Sequence, residues 1–203
     1  MERGVRRQAI YEEEGDYQVF LALMKQSLEK YGCVLHAYCM MTNHFHMLLE
    51  TSDTDVSKFM KQFANCYAVY FNRKYSYQGH LFEGRYKACL VKDDTYFLQT
   101  SRYIHLNPVK AGMVENPEDY PWSSYRTMLG MNDDRITQTR RTHGYFKKNP
   151  VACYRQFVED IGHKYVMDVY SDQIEHTARR FSAWLPPIQC TLSGHQCTMI
   201  IQG

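Results

Sequence analysis

The chain has 203 residues, 44% of them hydrophobic, with 24 Lys and Arg against 22 Asp and Glu for a net charge of +2. That length and apolar content allow one buried core with an appended tail, as in a soluble globular protein. No apolar run approaches the ~18 residues that a bilayer span needs, and Met1 to Arg7 lacks the apolar stretch of a signal peptide, so a cytoplasmic protein with no membrane partner is expected.

From the N-terminus, Asp16 reads as the cap of a helix running to Tyr31, with Val19, Phe20, Leu23, Met24 and Leu28 on one face and Gly32 as its stop. Cys33 to Met41 reads as a strand, Thr42 and Asn43 as a tight connection, and His44 to Glu50 as the hairpin partner. A second helix is expected from about Val56 to Tyr75, where Phe59, Phe63, Tyr67, Tyr70 and Phe71 fall at helical spacing and read as core. After a turn near Gly79, Arg85 to Val91 reads as a third strand with Arg85, Lys87, Cys89 and Val91 on one face. Asp93 and Asp94 cap a third helix from Thr95 to about Leu106, which Pro108 is expected to end or kink.

The order helix, strand, strand, helix, strand, helix is that of a ferredoxin-like βαββαβ arrangement without its first strand. It is an α+β fold whose antiparallel sheet carries helices on one face and leaves the other open. Residues 1–130 are expected to form this domain and 131–203 a C-terminal extension. The chain from Pro117 to Leu129 holds a short capped helix that packs Trp122 on the body, Val151 to Val158 reads as helix, and the stretch after about Ser171 reads as mobile. The seven cysteines (Cys33, Cys39, Cys66, Cys89, Cys153, Cys190, Cys197) are odd in number and suit reduced thiols rather than a disulfide framework. Cys190, His195 and Cys197 are a weak metal-binding signal.

Chemistry concentrates in two places. His44 and His46, two apart in an apolar strand, point the same way and form half of a metal site on rigid backbone. Such a pair is more often packed than ligating, so the other ligands and a reason for the metal must come from elsewhere. Tyr103 and Asn107, at i and i+4, share a helix face one turn apart, the spacing of a nucleophile and an adjacent ligand. With an ordinary pKa of about 10, tyrosine is a weak nucleophile that needs a polarised electrophile. A divalent cation (Mg²⁺ or Mn²⁺) held by His44, His46 and the Asn107 amide oxygen would polarise a phosphodiester occupying its open positions. Between Lys58 and Lys92 the basic residues Lys58, Lys61, Arg73, Lys74, Arg85, Lys87 and Lys92 face Glu83 as the only acid, a surplus suited to phosphate.

Four blocks in order carry a resemblance: Met40 to Glu50, Gly79 to Lys87, Arg102 to Gly112, and Glu118 to Tyr125. They resemble those of the REP-associated tyrosine transposases, a branch of the single-tyrosine HUH transposases, over roughly Arg3 to Leu129. The resemblance implies that His44 and His46 are metal ligands flanking the bulky Phe45, that Asn107 is the third ligand, and that Tyr103 is the nucleophile. It also implies attack on single-stranded DNA near a hairpin, giving a 5′-phosphotyrosine link and a free 3′-hydroxyl without ATP. Arg85, Lys87, Lys61, Arg73, Lys74 and Arg102 are the expected DNA-binding residues, in a monomer or a homodimer. The family opens with a strand of which only Arg3-Gly4-Val5 has a counterpart here, so an absent strand and a binding-only remnant form the alternative reading. A third reading, a zinc hydrolase using His44, His46 and Glu50, lacks a further ligand in the sequence.

Overall fold

The computed structural model describes residues 8–52, 54–160 and 197–202. Arg3-Gly4-Val5, Cys190 and His195, and the expected mobile stretch apart from its last residues, lie outside them. The described elements are α1 (Glu14–Tyr31), β1 (Val34–Met41), β2 (His44–Thr51), α2 (Val56–Tyr75), β3 (Lys87–Leu90), α3 (Asp94–Lys110), α4 (Tyr125–Met128), α5 (Arg140–Gly144), α6 (Pro150–Glu159) and β4 (Cys197–Gln202).

The α+β class is as expected, a four-stranded sheet in the order β1-β2-β4-β3, every neighbouring pair antiparallel. The gap expected in the sheet is filled from the other end of the chain: β4 lies between β2 and β3. Its alternation suits that place, since Met199 and Ile201 join one apolar cluster and Ile200 joins the other. Cys197 is disulfide-bonded, which corrects the expectation of reduced thiols at this one described position.

Helices cover both faces rather than one. Phe20, Met24 and Leu28 of α1 and Phe59, Phe63 and Tyr67 of α2 pack on Met40, Phe45, Met47 and Leu49. On the opposite face, Phe97, Tyr103 and Ile104 of α3 pack on Ala37, Cys39, Met41 and Leu48. The cause is in β1 and β2, whose side chains are apolar at successive rather than alternate positions and so need cover on both sides. The outer edge of β1 is closed by the chain around Trp122, where Met40 N–H donates to Trp122 O at 2.9 Å and Ser124 N–H to Tyr38 O at 3.1 Å. Trp122 stacks on Tyr17 at 4.4 Å, the packing role expected of it.

Two helix ends differ from expectation. The N-cap of α1 is Glu13, and Asp16 is the third helical residue of a capping box that reaches back to the cap. Pro108 lies inside α3, which continues to Lys110. A proline there removes the donor for the Ile104 carbonyl, and the Asn107 Nδ2 approaches Tyr103 O at 2.8 Å and Ile104 O at 3.5 Å, partly replacing it.

Asp16 anchors α2 to α1. Its fully buried carboxylate accepts from Lys74 Nζ at 2.6 Å, Tyr75 Oη at 2.7 Å, Tyr70 Oη at 2.8 Å and the Glu12 N–H at 2.8 Å. Burial raises its pKa, but these donors overcome that and bring it down to about 2 from an ordinary 3.8. Its stabilisation is therefore complete above the ordinary value and is lost as pH falls through about 2. Asp16→Asn is expected to cost about 3 kcal/mol at neutral pH and to flatten the fall in stability between pH ~4 and ~2. Thermal unfolding of both proteins across that range checks it.

Candidate active site

The hairpin turn at Thr42 and Asn43 starts β2 at His44, which puts His44 and His46 on the face covered by α3. Their Nε2 atoms are 3.1 Å apart, with rings nearly perpendicular at 85°. Asn43 Oδ1 lies 2.7 Å from His44 Nδ1. An amide oxygen only accepts, so this contact favours the tautomer with the proton on Nδ1 and Nε2 of His44 as an acceptor. At 3.1 Å the two nitrogens can share one hydrogen bond, with His46 Nε2–H donating to His44 Nε2, or hold a cation in its place. Two nitrogens bound to one metal at ~2.1 Å would themselves stand ~3.0–3.4 Å apart, so the separation fits chelation. Asn43 was not singled out from the sequence, although its place directly before the pair was the signal.

Tyr103 projects from α3 onto the same place, its ring centroid 5.6 Å from that of His46, and Lys110, two turns further along the same helix face, has its Nζ 5.3 Å from the Tyr103 ring centroid. His46 and Tyr103 are 3% and 8% exposed. Asn107 sits on α3 one turn from Tyr103, its Nδ2 committed to the helix carbonyls, which leaves the oxygen as the end available to a ligand role. On the sheet, Gln202 pairs in register with His46 on one side and Lys87 on the other, so both share the histidines' face. Arg85 is exposed just before β3.

The structure does not bring the remaining basic candidates to this face. Lys61, Arg73 and Lys74 are on α2, across the sheet from the histidines, and Lys74 pairs with Glu13 and Asp16. Arg102 is buried, donating to Val158 O at 3.1 Å and to Asp160 O, with its guanidinium on the Phe157 ring. It fastens α6 to α3. His105, one turn from Arg102, is likewise structural: its nitrogens lie 2.8 Å from Tyr154 Oη and from Ser124 Oγ, and burial pushes its pKa down to about 3, so it stays neutral.

The zinc hydrolase reading fails on Glu50. It is four residues along β2 from His46, ~13 Å away, and is held by His36 Nε2 at 3.0 Å and Arg141 Nη1 at 2.6 Å. Among the described residues no three His, Cys, Asp or Glu side chains could hold a metal ion. A cation at the histidine pair would complete its shell with amide oxygen and water, oxygen ligands that Mg²⁺ and Mn²⁺ accept.

A paired-imidazole and tyrosine face on an antiparallel sheet is joined by a family-level match that places the chain among the transposases. The family model described as IS200-like transposase matches residues 3–107, more than half of the chain, which thus belongs to that family. A Haemophilus influenzae protein named after the REP-associated tyrosine transposases is 28% identical over 117 residues, covering 52% of this chain and 66% of that relative. The chain thus spans just under two thirds of the relative's length, and the resemblance read from its sequence blocks is borne out. No solved structure matches it. No helix among the described residues is long and apolar enough to cross a membrane.

Proposed function

We propose that the chain is a metal-dependent DNA strand transferase acting on single-stranded DNA beside a hairpin, with Tyr103 as its nucleophile. The observation that carries this reading is the convergence of the His44 and His46 Nε2 atoms, 3.1 Å apart, beside the Tyr103 ring in a chain of a transposase family. His44, His46 and the Asn107 oxygen would hold Mg²⁺ or Mn²⁺. When bound, that ion would neutralise charge on the scissile phosphate and polarise it toward attack.

The chain's own residues do the rest. The helix holds Tyr103 rigidly beside His46, so the phenol oxygen meets a phosphodiester laid across the histidine pair in a fixed geometry. The Oη–P bond forms as the bond from phosphorus to the 3′ oxygen breaks. The departing oxygen keeps the electron pair and takes up a proton, while the phenol gives one up, so the step is proton-neutral. The product is a 5′-phosphotyrosine and a free 3′-hydroxyl, and the same bond energies allow reversal without ATP. Lys110 sets positive charge beside the ring as its oxygen reacts. Lys87 and Arg85 supply the cations that seat the DNA backbone. The binding-only alternative is separated from this reading by covalent adduct formation, which a binding remnant would lack.

The test is incubation with end-labelled, hairpin-bearing single-stranded oligonucleotides and Mg²⁺ or Mn²⁺, followed by a denaturing gel. A covalent protein–DNA band that EDTA abolishes is the expected result. Free oligonucleotide alone, with either metal and across a panel of hairpins, would overturn the reading.

A further inference from the structure

The end of β4 carries a side chain with unmet bonding capacity inside the candidate site. Gln202 is 5% exposed, and its Nε2 is a buried donor with no hydrogen-bond partner. Leaving such a donor unpaired costs ~1–3 kcal/mol, so something ordinarily satisfies it when the site is in use. Directly opposed residues of antiparallel strands have Cβ atoms ~4.5–5.5 Å apart on one face, and Gln202 is directly opposed to His46 on β2 and to Lys87 on β3. The carboxamide is therefore one side chain away from the imidazole that Tyr103 packs against, and equally close to a lysine.

An N–H donor next to a cation, on a rigid central strand, matches an anionic oxygen and mismatches another cation. We propose that Gln202 is a further catalytic residue: its Nε2 donates to a non-bridging oxygen of the phosphodiester presented to Tyr103, with Lys87 alongside. The carboxamide is unchanged through the step; it holds the phosphate oxygen while the Oη–P bond forms and the bond to the 3′ oxygen breaks. The inference rests on the strand-transfer reading above and extends it, since it makes the C-terminal strand a part of the reacting surface as well as of the sheet. The same amide turned about would present oxygen to a metal ion instead, and the choice of variants separates the two.

Gln202→Met keeps length and apolar packing but removes the donor. Gln202→Glu keeps the shape and an acceptor oxygen, removes the donor and adds a negative charge. With the full chain and single-turnover gels, Gln202→Met is expected to slow adduct formation by about 10²-fold and Gln202→Glu by more, because the carboxylate repels the phosphate. Thermal midpoints near that of the native chain keep the comparison about chemistry, and Mn²⁺ affinity is expected to hold in the Met variant. An independent readout uses Tyr103→Phe, which removes the nucleophile: the Gln202 side-chain ¹⁵N–¹H resonances are expected to shift on titration with the oligonucleotide. Adduct formation at the native rate in both variants, or resonances that do not move, would overturn the donor role while leaving strand transfer standing. Weakened Mn²⁺ binding in Gln202→Met, restored in Gln202→Glu, would overturn it in favour of a metal ligand. A native chain that forms no adduct at all would remove the reading on which it rests.

Discussion

Tyr103→Phe is expected to abolish the covalent protein–DNA band, a loss of at least ~10³-fold, while leaving the fold and oligonucleotide binding intact. The substitution removes one oxygen and keeps the ring that packs on His46 at 5.6 Å and lies beside Lys110. Losing an entire nucleophile removes the covalent route rather than weakening it, so no partial rate remains from positioning alone. Fluorescence anisotropy with a labelled oligonucleotide reads binding, thermal unfolding reads the fold, and the denaturing gel reads chemistry. Binding that falls together with the adduct would mean that the hydroxyl serves the interface rather than the reaction.

The second large effect concerns the sheet. Ending the chain before Cys197 removes β4, with Met199, Ile200 and Ile201 all buried at 6%, 1% and 0% exposure. At ~1.5–3 kcal/mol for each such side chain, about 6 kcal/mol of apolar burial is lost, comparable to the whole stability of many domains. The loss also strips the ladder partners from one side of both β2 and β3 and opens two edges to association. The truncated protein is expected to aggregate or to lack a cooperative thermal transition. Size-exclusion chromatography and calorimetry check this, and a monomer melting at the native temperature would show that β4 is not part of the stable sheet. The Thr198 contact at the far end of the strand would go as well: Arg141 Nη1 donates to Thr198 Oγ1 at 2.9 Å, leaving Arg141 only its 2.6 Å bond to Glu50 there.

What could be read in advance follows the range of the interactions. The His44–His46 convergence was legible because strand alternation is local and forces two residues of one strand to a common face. The second helix was legible because Phe59, Phe63, Tyr67 and Phe71 repeat at helical spacing, and they are core as expected. The cap of α1 was read three residues late because a capping box has two acidic ends, and Asp16 is the inner one. Pro108 was read as a stop because the rule counts the donor it removes and not the Asn107 amide that partly replaces it. Helices on both faces had a signal that went unused: Leu35 through Met41 is apolar at nearly every position, as in a doubly covered strand. Two features had little local signal. The position of β4 depends on pairing between residues 148 apart in Glu50 and Thr198, and six residues cannot announce their partner. The basic surplus could be counted but not placed, because nothing local says which face of the sheet α2 covers; Lys61, Arg73 and Lys74 fall on the other side from the histidines.

The central claim is that one tyrosine, Tyr103, takes the DNA. The most direct measurement is to digest the adduct with protease and nuclease and locate the nucleotide-modified peptide by mass spectrometry. The account predicts a single modified peptide containing Tyr103, with the 5′ phosphate of the residual nucleotide on the tyrosine oxygen. A modified peptide carrying any of the chain's other tyrosines, or a linkage through a 3′ phosphate, would contradict it.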